Sequence, residues 1–282
     1  MHRTHPTSQR GASLALATLA LTLCLPGLAQ EGPALPLWEL GAVGVAVSQQ
    51  AYPGSLERVQ QALALPFFIY RGEFLRVDRG SAGIRALKTP ALELDVGVSG
   101  ALGSRASDVA ARRGMADLGT LVEFGPRLRW NISPAAGPDQ WRADLPLRGV
   151  FDLSSSLAQR GVAFEPELTF SHRDRDGWSY STGVSAIWGD QRLAELYYSV
   201  SAAEATASRA AYAAQGGLIA LRLSGSVSRR LTPDLRLFLF GRVDSVSGAA
   251  NQASPLVQQS SGASAGLVLT YTWKQSESRA AD

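Results

Sequence analysis

The sequence has little cysteine, histidine or charge, and no long apolar run beyond its first 30 residues. The single cysteine, Cys24, lies inside the N-terminal apolar stretch, and Leu23 before it does not suit a lipoprotein signal, which needs small residues there. Without that stretch the chain can form neither a disulfide nor a thiolate metal site. His172 is then the one remaining histidine, so a histidine-based metal site is not expected. We predict no cofactor and no metal.

The N-terminus has the features of an export signal. Two arginines precede an apolar stretch over residues 12–25, which is too short to span a bilayer comfortably. A proline and a glycine end it, and Ala29 offers a small residue for cleavage. We predict a signal peptide over residues 1–29 and a single barrel domain over 30–282, with an uncleaved membrane anchor as the alternative.

Charge is sparse and balanced. Charged residues make up 18% of the chain, whereas about 25% is usual in soluble proteins. Removing the two N-terminal arginines from 27 basic residues leaves 25, against 24 acidic ones, a net charge of +1. This balance gives no indication of nucleic-acid binding.

The hydrophobic residues instead alternate with polar ones. Around residues 120–132, Phe124 and Leu128 fall on one face, and Glu123 and Arg127 on the other. Such alternation is typical of strands, and the segments are about 10 to 13 residues long, as strands that cross a bilayer are. We therefore predict an all-β fold, an antiparallel transmembrane β-barrel of 12 strands, or 10 if the third and fourth segments form a loop. The segments are 36–49, 61–70, 74–79, 83–89, 91–102, 119–132, 140–152, 161–172, 177–188, 215–229, 235–247 and 263–273.

Tryptophan and tyrosine lie near the ends of these segments, as in the aromatic girdles of outer-membrane barrels. The alternative is a soluble β-sandwich with tryptophan in its core. Connections alternate between compact turns and longer loops, which is the pattern of periplasmic turns and external loops. Within the longest loop, 189–214, the segment 197–214 could be external, folded inward as a plug, or an extension of a strand.

In a barrel the polar face lines the lumen, because only a closed sheet pairs every backbone group within lipid. The alternation places charges of both signs there. They are expected to form structural ion pairs in a narrow lumen, or alternatively to line a solute pathway. The predicted lumen-facing charges are Glu93, Asp95, Glu123, Arg127, Arg129, Arg142, Asp144, Arg148, Glu165, Glu167 and Arg222.

One segment contains residue types that could support hydrolysis. Ser171, His172 and Asp174 are of the right kinds for nucleophilic catalysis. However, adjacent residues of a strand point to opposite faces, so Ser171 and His172 should not meet. We therefore predict that the protein is not an enzyme, with a barrel hydrolase using His172 as the least favoured alternative.

Several segments resemble the MipA/OmpV family. They include Trp38 with Tyr52-Pro53-Gly54, Pro66-Phe67 with Tyr70-Arg71-Gly72, Asp176-Gly177-Trp178-Ser179-Tyr180, Tyr197-Tyr198-Ser199-Val200 and Ala253-Ser254-Pro255-Leu256-Val257. Together they cover essentially all of the predicted mature chain, in the family's order. One departure is the polar tail over 274–282, where family members usually end on an aromatic residue.

The resemblance implies a barrel in the outer membrane of a Gram-negative envelope, in contact with outer-membrane lipid. It also implies a scaffold that links a murein hydrolase to a murein synthase, and it supplies no catalytic residues. A small pore or solute channel is the alternative.

Overall fold

The computed structural model describes residues 36–71, 76–78, 81–83, 87–89, 91–133, 137–174 and 177–278. The predicted signal peptide and the last four residues lie outside this part. The described residues form fourteen strands, one α-helix and three short 3-10 helices. The strands are β1 (Trp38–Gln50), β2 (Arg58–Arg71), β3 (Arg76–Asp78), β4 (Ser81–Gly83), β5 (Leu87–Lys88), β6 (Leu92–Ala101), β7 (Leu121–Asn131), β8 (Asp139–Asp152), β9 (Ala158–Phe164), β10 (Glu167–His172), β11 (Ser179–Gly189), β12 (Gly217–Arg230), β13 (Leu235–Ser245) and β14 (Ser261–Gln275), and the helix α1 is Gln191–Tyr198.

The strands form one antiparallel sheet that returns to its starting point. β1 pairs with both β2 and β14, and the order continues through β13, β12, β11, β10, β8 and β7 to β6. The two ends of the sheet approach each other where Cα atoms of β4 and β6 lie within 8 Å. The first and last described residues lie at one end of the barrel, where the Leu37 amide donates to the Ser278 carbonyl at 2.9 Å.

The predicted strand segments correspond to the observed ones with local differences. The fourth segment, 83–89, overlaps the end of β4 and all of β5, and the segment 161–172 divides into β9 and β10. Pro166 lies at the second break, because proline has no amide hydrogen for the ladder. β14 continues to Gln275, two residues into the predicted tail. The helix α1 was not predicted from sequence.

The barrel is apolar outside and carries its charged residues inside. Trp130 and Val184 point outward with 52% and 54% of their surface exposed. On the same strands Glu123 and Ser185 point inward, and Ser185 is only 9% exposed. This arrangement is expected of a barrel in lipid, where the outer face meets hydrocarbon chains.

The residues between strands at the end far from the termini pack together. We call this end the loop cap and define it as residues 51–57, 102–120, 190–216 and 246–260. Its core contains Tyr52, Val109, Leu193, Tyr198 and Leu256, all nearly inaccessible to solvent. Because external loops are longer than periplasmic turns in such barrels, we assign the cap to the outer side. No helix in the described residues is long and apolar enough to cross a membrane.

Helix α1 is the one α-helix of the cap. The Asp190 side chain accepts a hydrogen bond from the Leu193 amide at 3.0 Å, which satisfies an otherwise unpaired donor at the helix start. Leu193, Ala194 and Tyr198 recur at the spacing that places side chains on one helix face, and all three are buried in the cap core.

Candidate functional site

The eleven charged residues selected from the sequence lie along β6, β7, β8, β10 and β12, and between β9 and β10, with their side chains on the inner side of the sheet. Ten of them take part in ion pairs, and their side chains are 7–19% exposed. Glu167 is the exception, with no ion pair among the described contacts. Charges placed in a lumen are better stabilised by partners than by water alone, so this pairing is the arrangement expected of a narrow interior.

The half of the lumen near the chain ends contains one group of pairs, the lower network. Arg127 holds Asp95 through two hydrogen bonds of 2.9 and 2.6 Å. Asp144 is shared by Arg129, at 2.9 Å, and Arg142, at 2.7 Å. In two of these ion pairs the residues lie directly opposite each other on adjacent strands: Asp95 faces Arg127, and Arg129 faces Asp144. The strand register itself therefore brings these charges together.

The half of the lumen below the loop cap contains a second group, the upper belt. Arg148 lies 3.1 Å from Glu123 and 3.4 Å from Glu165. Glu165 in turn lies 2.8 Å from Arg222. The belt ends where Asp244 accepts from Arg222 at 2.6 Å and lies 3.6 Å from Arg242. Alternating charges therefore run continuously from β7 across the lumen wall to β13.

Two members of the upper belt, Arg242 and Asp244, were not predicted. They lie on β13, where Phe238 and Phe240 share their face, so the sequence of this strand alternates poorly. The observed register resolves the ambiguity, because Asp244 lies opposite Arg222 and Arg242 lies opposite Ser224. The signal that could have identified them is the i, i+2 spacing of two opposite charges on one strand face.

The opposite wall of the lumen is apolar. Val45 on β1 pairs in register with Leu63 on β2 and with Val268 on β14. Val268 in turn pairs with Phe238 on β13, which stacks on Phe240 at a centroid separation of 5.9 Å. Since Leu269 and Tyr271 point outward, these neighbours face the lumen. We call this surface the apolar wall; it comprises Val43, Val45, Val47, Leu63, Leu65, Phe67, Phe238, Phe240 and Val268.

The loops of the cap are joined by hydrogen bonds from buried tyrosines. The Tyr52 hydroxyl donates to the Leu256 carbonyl at 2.8 Å, and the Tyr198 hydroxyl donates to the Pro53 carbonyl at 3.1 Å. The two rings meet edge to face with centroids 6.4 Å apart, a favourable aromatic geometry. Burial in this core raises the pKa of Tyr52 to about 12 and also raises the pKa of Tyr198.

Two arginines fix the remaining loops. Arg209 donates to the carbonyls of Ala111, at 2.8 Å, and Arg113, at 3.1 Å, which ties the loop after β6 to the loop after α1. Arg112 is 4% exposed and its guanidinium lies 5.8 Å from the centre of the Tyr52 ring, a cation–π contact. Burial lowers the pKa of Arg112. Beside Arg112 the cap contains an open cleft of about 570 Å³.

The residues that suggested hydrolysis are separated in the structure. Ser171 is buried on the lumen side, while the His172 ring stacks on outward-facing Tyr180 at a centroid distance of 5.0 Å. The His172 Nδ1 atom lies 2.6 Å from an Asp139 carboxylate oxygen. Among the described contacts no serine hydroxyl bonds to this ring, so the geometry lacks the nucleophile that a catalytic histidine requires.

A closed antiparallel sheet that is apolar outside and polar inside defines a β-barrel of the outer membrane. Comparison with protein families then identifies it more closely. The family described as "MltA-interacting protein MipA" matches residues 41–273. The chain belongs to the MipA family.

Comparison with solved structures finds barrels of low similarity. A COG4313 outer membrane channel from Pseudomonas putida F1 is 11% identical, with a TM-score of 0.37, and covers 88% of this chain and 100% of that chain. A Pseudomonas aeruginosa FadL homologue is 10% identical, with a TM-score of 0.29, and covers 84% of this chain and 90% of that chain. No curated protein matches the sequence.

Proposed function

We propose that this barrel is a non-enzymatic scaffold that holds murein-processing enzymes at the inner side of the outer membrane. The partners would be a murein hydrolase of the MltA kind, which the family description names, together with a murein synthase. The observation that carries the proposal is the closed outer end of the barrel. The loop cap packs over this end, and the upper belt lines the lumen wall below it, which favours a role in binding over a role in transport.

The closure is built from interactions that are costly to break. Removing one member of a well-packed aromatic core costs about 3 to 5 kcal/mol, and separating a buried ion pair costs a similar amount. An open passage at the outer end would need the cap to rearrange. At the other end, the short turn between β12 and β13 presents Leu231 with 48% of its surface accessible.

Conductance and binding together test the proposal. The barrel reconstituted in a planar bilayer should pass little current. Immobilised in lipid nanodiscs, it should retain a purified MltA-type hydrolase, and Leu231→Asp should weaken that binding. Leu157→Asp is the matched control, because Leu157 is 56% exposed on a turn at the outer end. Steady single-channel currents, or equal binding by both variants, would favour a pore or a different contact surface.

A further inference from the structure

The lumen is divided lengthwise into two chemically different halves. β6 to β12 contribute most of the charged networks and a set of hydroxyl groups, whereas β14, β1, β2 and the two phenylalanines of β13 contribute the apolar wall. Strand β13 belongs to both halves, because its Arg242 and Asp244 are members of the upper belt. A lumen that holds only water is expected to be polar all round. Four neighbouring strands with apolar residues on both faces therefore need an explanation beyond the packing of the barrel in lipid.

Part of the apolar wall remains exposed. Leu65 faces the lumen in register with Val43, yet 38% of it is exposed. Phe67 and Phe240 are partly exposed as well, although each ring fills the space above a glycine on the neighbouring strand. Leaving such apolar area in contact with water costs about 25 cal/mol per Å², so an apolar occupant would be stabilised there.

Strand β10, in the charged half, contains polar groups with few partners, and its Glu167 side chain reaches Ser224 on β12, the strand that pairs with β13. Glu167 lies directly opposite Asp144 in the ladder, a like-charge pair that disfavours both charges. Its one described hydrogen bond is a long contact of 3.4 Å from the Ser224 hydroxyl. Thr169, two residues along the same strand, is 6% exposed, and its hydroxyl has no hydrogen-bond partner among the described residues.

These groups would accept hydrogen bonds. Buried polar atoms are nearly always paired in folded proteins, and a group left without a partner marks a place where a water or a ligand completes the structure. A carboxylate beside another carboxylate is best satisfied by a donor that carries no negative charge. Within the same surface, Ser226 lies opposite Phe240 in register, so hydroxyl groups and aromatic rings adjoin each other.

We infer that the lumen binds an amphiphile, a molecule with an alkyl chain along the apolar wall and an uncharged, hydroxyl-rich head beside Glu167 and Thr169. The loop cap covers the outer end, so the entrance lies toward the periplasmic end. The inference stands apart from the scaffold role, since it concerns the inside of the barrel and the scaffold concerns its turns.

A photoreactive probe tests this site directly. The full-length barrel in nanodiscs is exposed to dodecyl maltoside with a diazirine at the chain end, and labelled residues are identified by mass spectrometry. We expect labels on Leu65, Phe67 and Phe240. A probe with the same alkyl chain but a carboxylate head should label these residues at least about tenfold less. That factor corresponds to a difference of about 1.4 kcal/mol in binding free energy. Labels confined to outward residues, or equal labelling by both probes, would overturn the inference.

Variants on one strand provide a matched comparison. Leu65→Gln places a polar group on the lumen side, and Phe68→Gln does so on the outer side, where Phe68 is 58% exposed. Lumen labelling should fall about tenfold in Leu65→Gln and in Glu167→Leu, as expected for the loss of one strong contact, and stay unchanged in Phe68→Gln. A heat-modifiability gel checks that each variant is folded. If a variant does not fold, the labelling of the unaltered protein still tests the site.

Discussion

The barrel and its loop cap are organised in opposite ways. The barrel exposes tryptophan and leucine to lipid and buries aspartate and arginine, whereas the cap buries tyrosine, leucine and valine as a water-soluble protein does. The difference follows from the solvent that each region meets. Lipid satisfies apolar side chains but no backbone group, while the cap faces water and gains stability by removing apolar surface from it.

The cap should lose the most from a single truncation. Tyr198→Ala removes a side chain that is 1% exposed and its hydrogen bond to Pro53, at an expected cost of about 3 to 5 kcal/mol. We expect the cap loops to become sensitive to protease while the barrel stays heat-modifiable. Tyr271→Ala, on the outer face, is the control and should leave protease sensitivity unchanged. A loss of the barrel itself in Tyr198→Ala would show that the two regions do not fold separately.

The upper belt should be the next most sensitive feature. Arg148→Met leaves Glu123 and Glu165 without their shared cation, which should cost about 3 kcal/mol. The measurement is the urea midpoint of the refolded barrel. Arg229→Met, which removes an outward cation–π contact with Trp178, should cost less than about 1 kcal/mol. Equal losses of stability in the two variants would mean that water screens charges in the lumen as fully as it screens Arg229 on the outer face.

Replacing strand glycines by alanine should change stability by a smaller amount, and the change should differ between the lumen side and the outer side of the sheet. A Cβ atom at Gly266 would overlap the Phe240 ring on the lumen side, whereas a Cβ at Gly44 on the outer side meets nothing within 4 Å. Gly266→Ala should therefore destabilise the barrel by about 1 to 3 kcal/mol, and Gly44→Ala should be neutral or slightly stabilising. Heating midpoints on gels measure both, and reversal of this order would contradict the assignment of faces.

The pH dependence of the cap should be the smallest effect. Burial raises the pKa of Tyr52 from 10.0 to about 12. Below pH 10 the phenol is protonated in both states, so this contribution to stability is complete there, and it is lost as pH rises toward 12. At pH 11 the cap should be weaker by about 1 kcal/mol. Protease sensitivity of the cap loops from pH 9 to 12 would show it, and Tyr52→Phe should reduce this dependence to the part that Tyr198 contributes.

The sequence predicts the barrel well where the two faces differ. Residues 119–132 and 140–152 alternate strictly, so β7 and β8 and the inward charges on them follow from side-chain period alone. β2 is different, because its sequence is apolar on both faces. The lumen-facing set of β2 is known only from its register with β1, and register is a long-range property that one sequence does not reveal.

Pairing partners and the cap also lie beyond the sequence. The charge of Arg222 predicts an inward residue, yet its contact with Glu165 joins positions 57 residues apart. The cap has no periodic pattern, since its core is assembled from single residues in several loops. The short apolar spacing of Leu193, Ala194 and Tyr198 after Asp190 is a helix signal, but it is brief enough to be read equally well as loop.

The composition of the cap core has a consequence for the order of assembly. Its residues come from the turn after β1, the loop after β6, helix α1 and the loop before β14, so they span most of the chain. Contacts between residues so distant in sequence form late, because each requires the intervening chain to be ordered first. The cap is therefore complete only after the last hairpin has joined the sheet. Protease resistance of the cap loops then indicates that the barrel has finished assembling in the membrane.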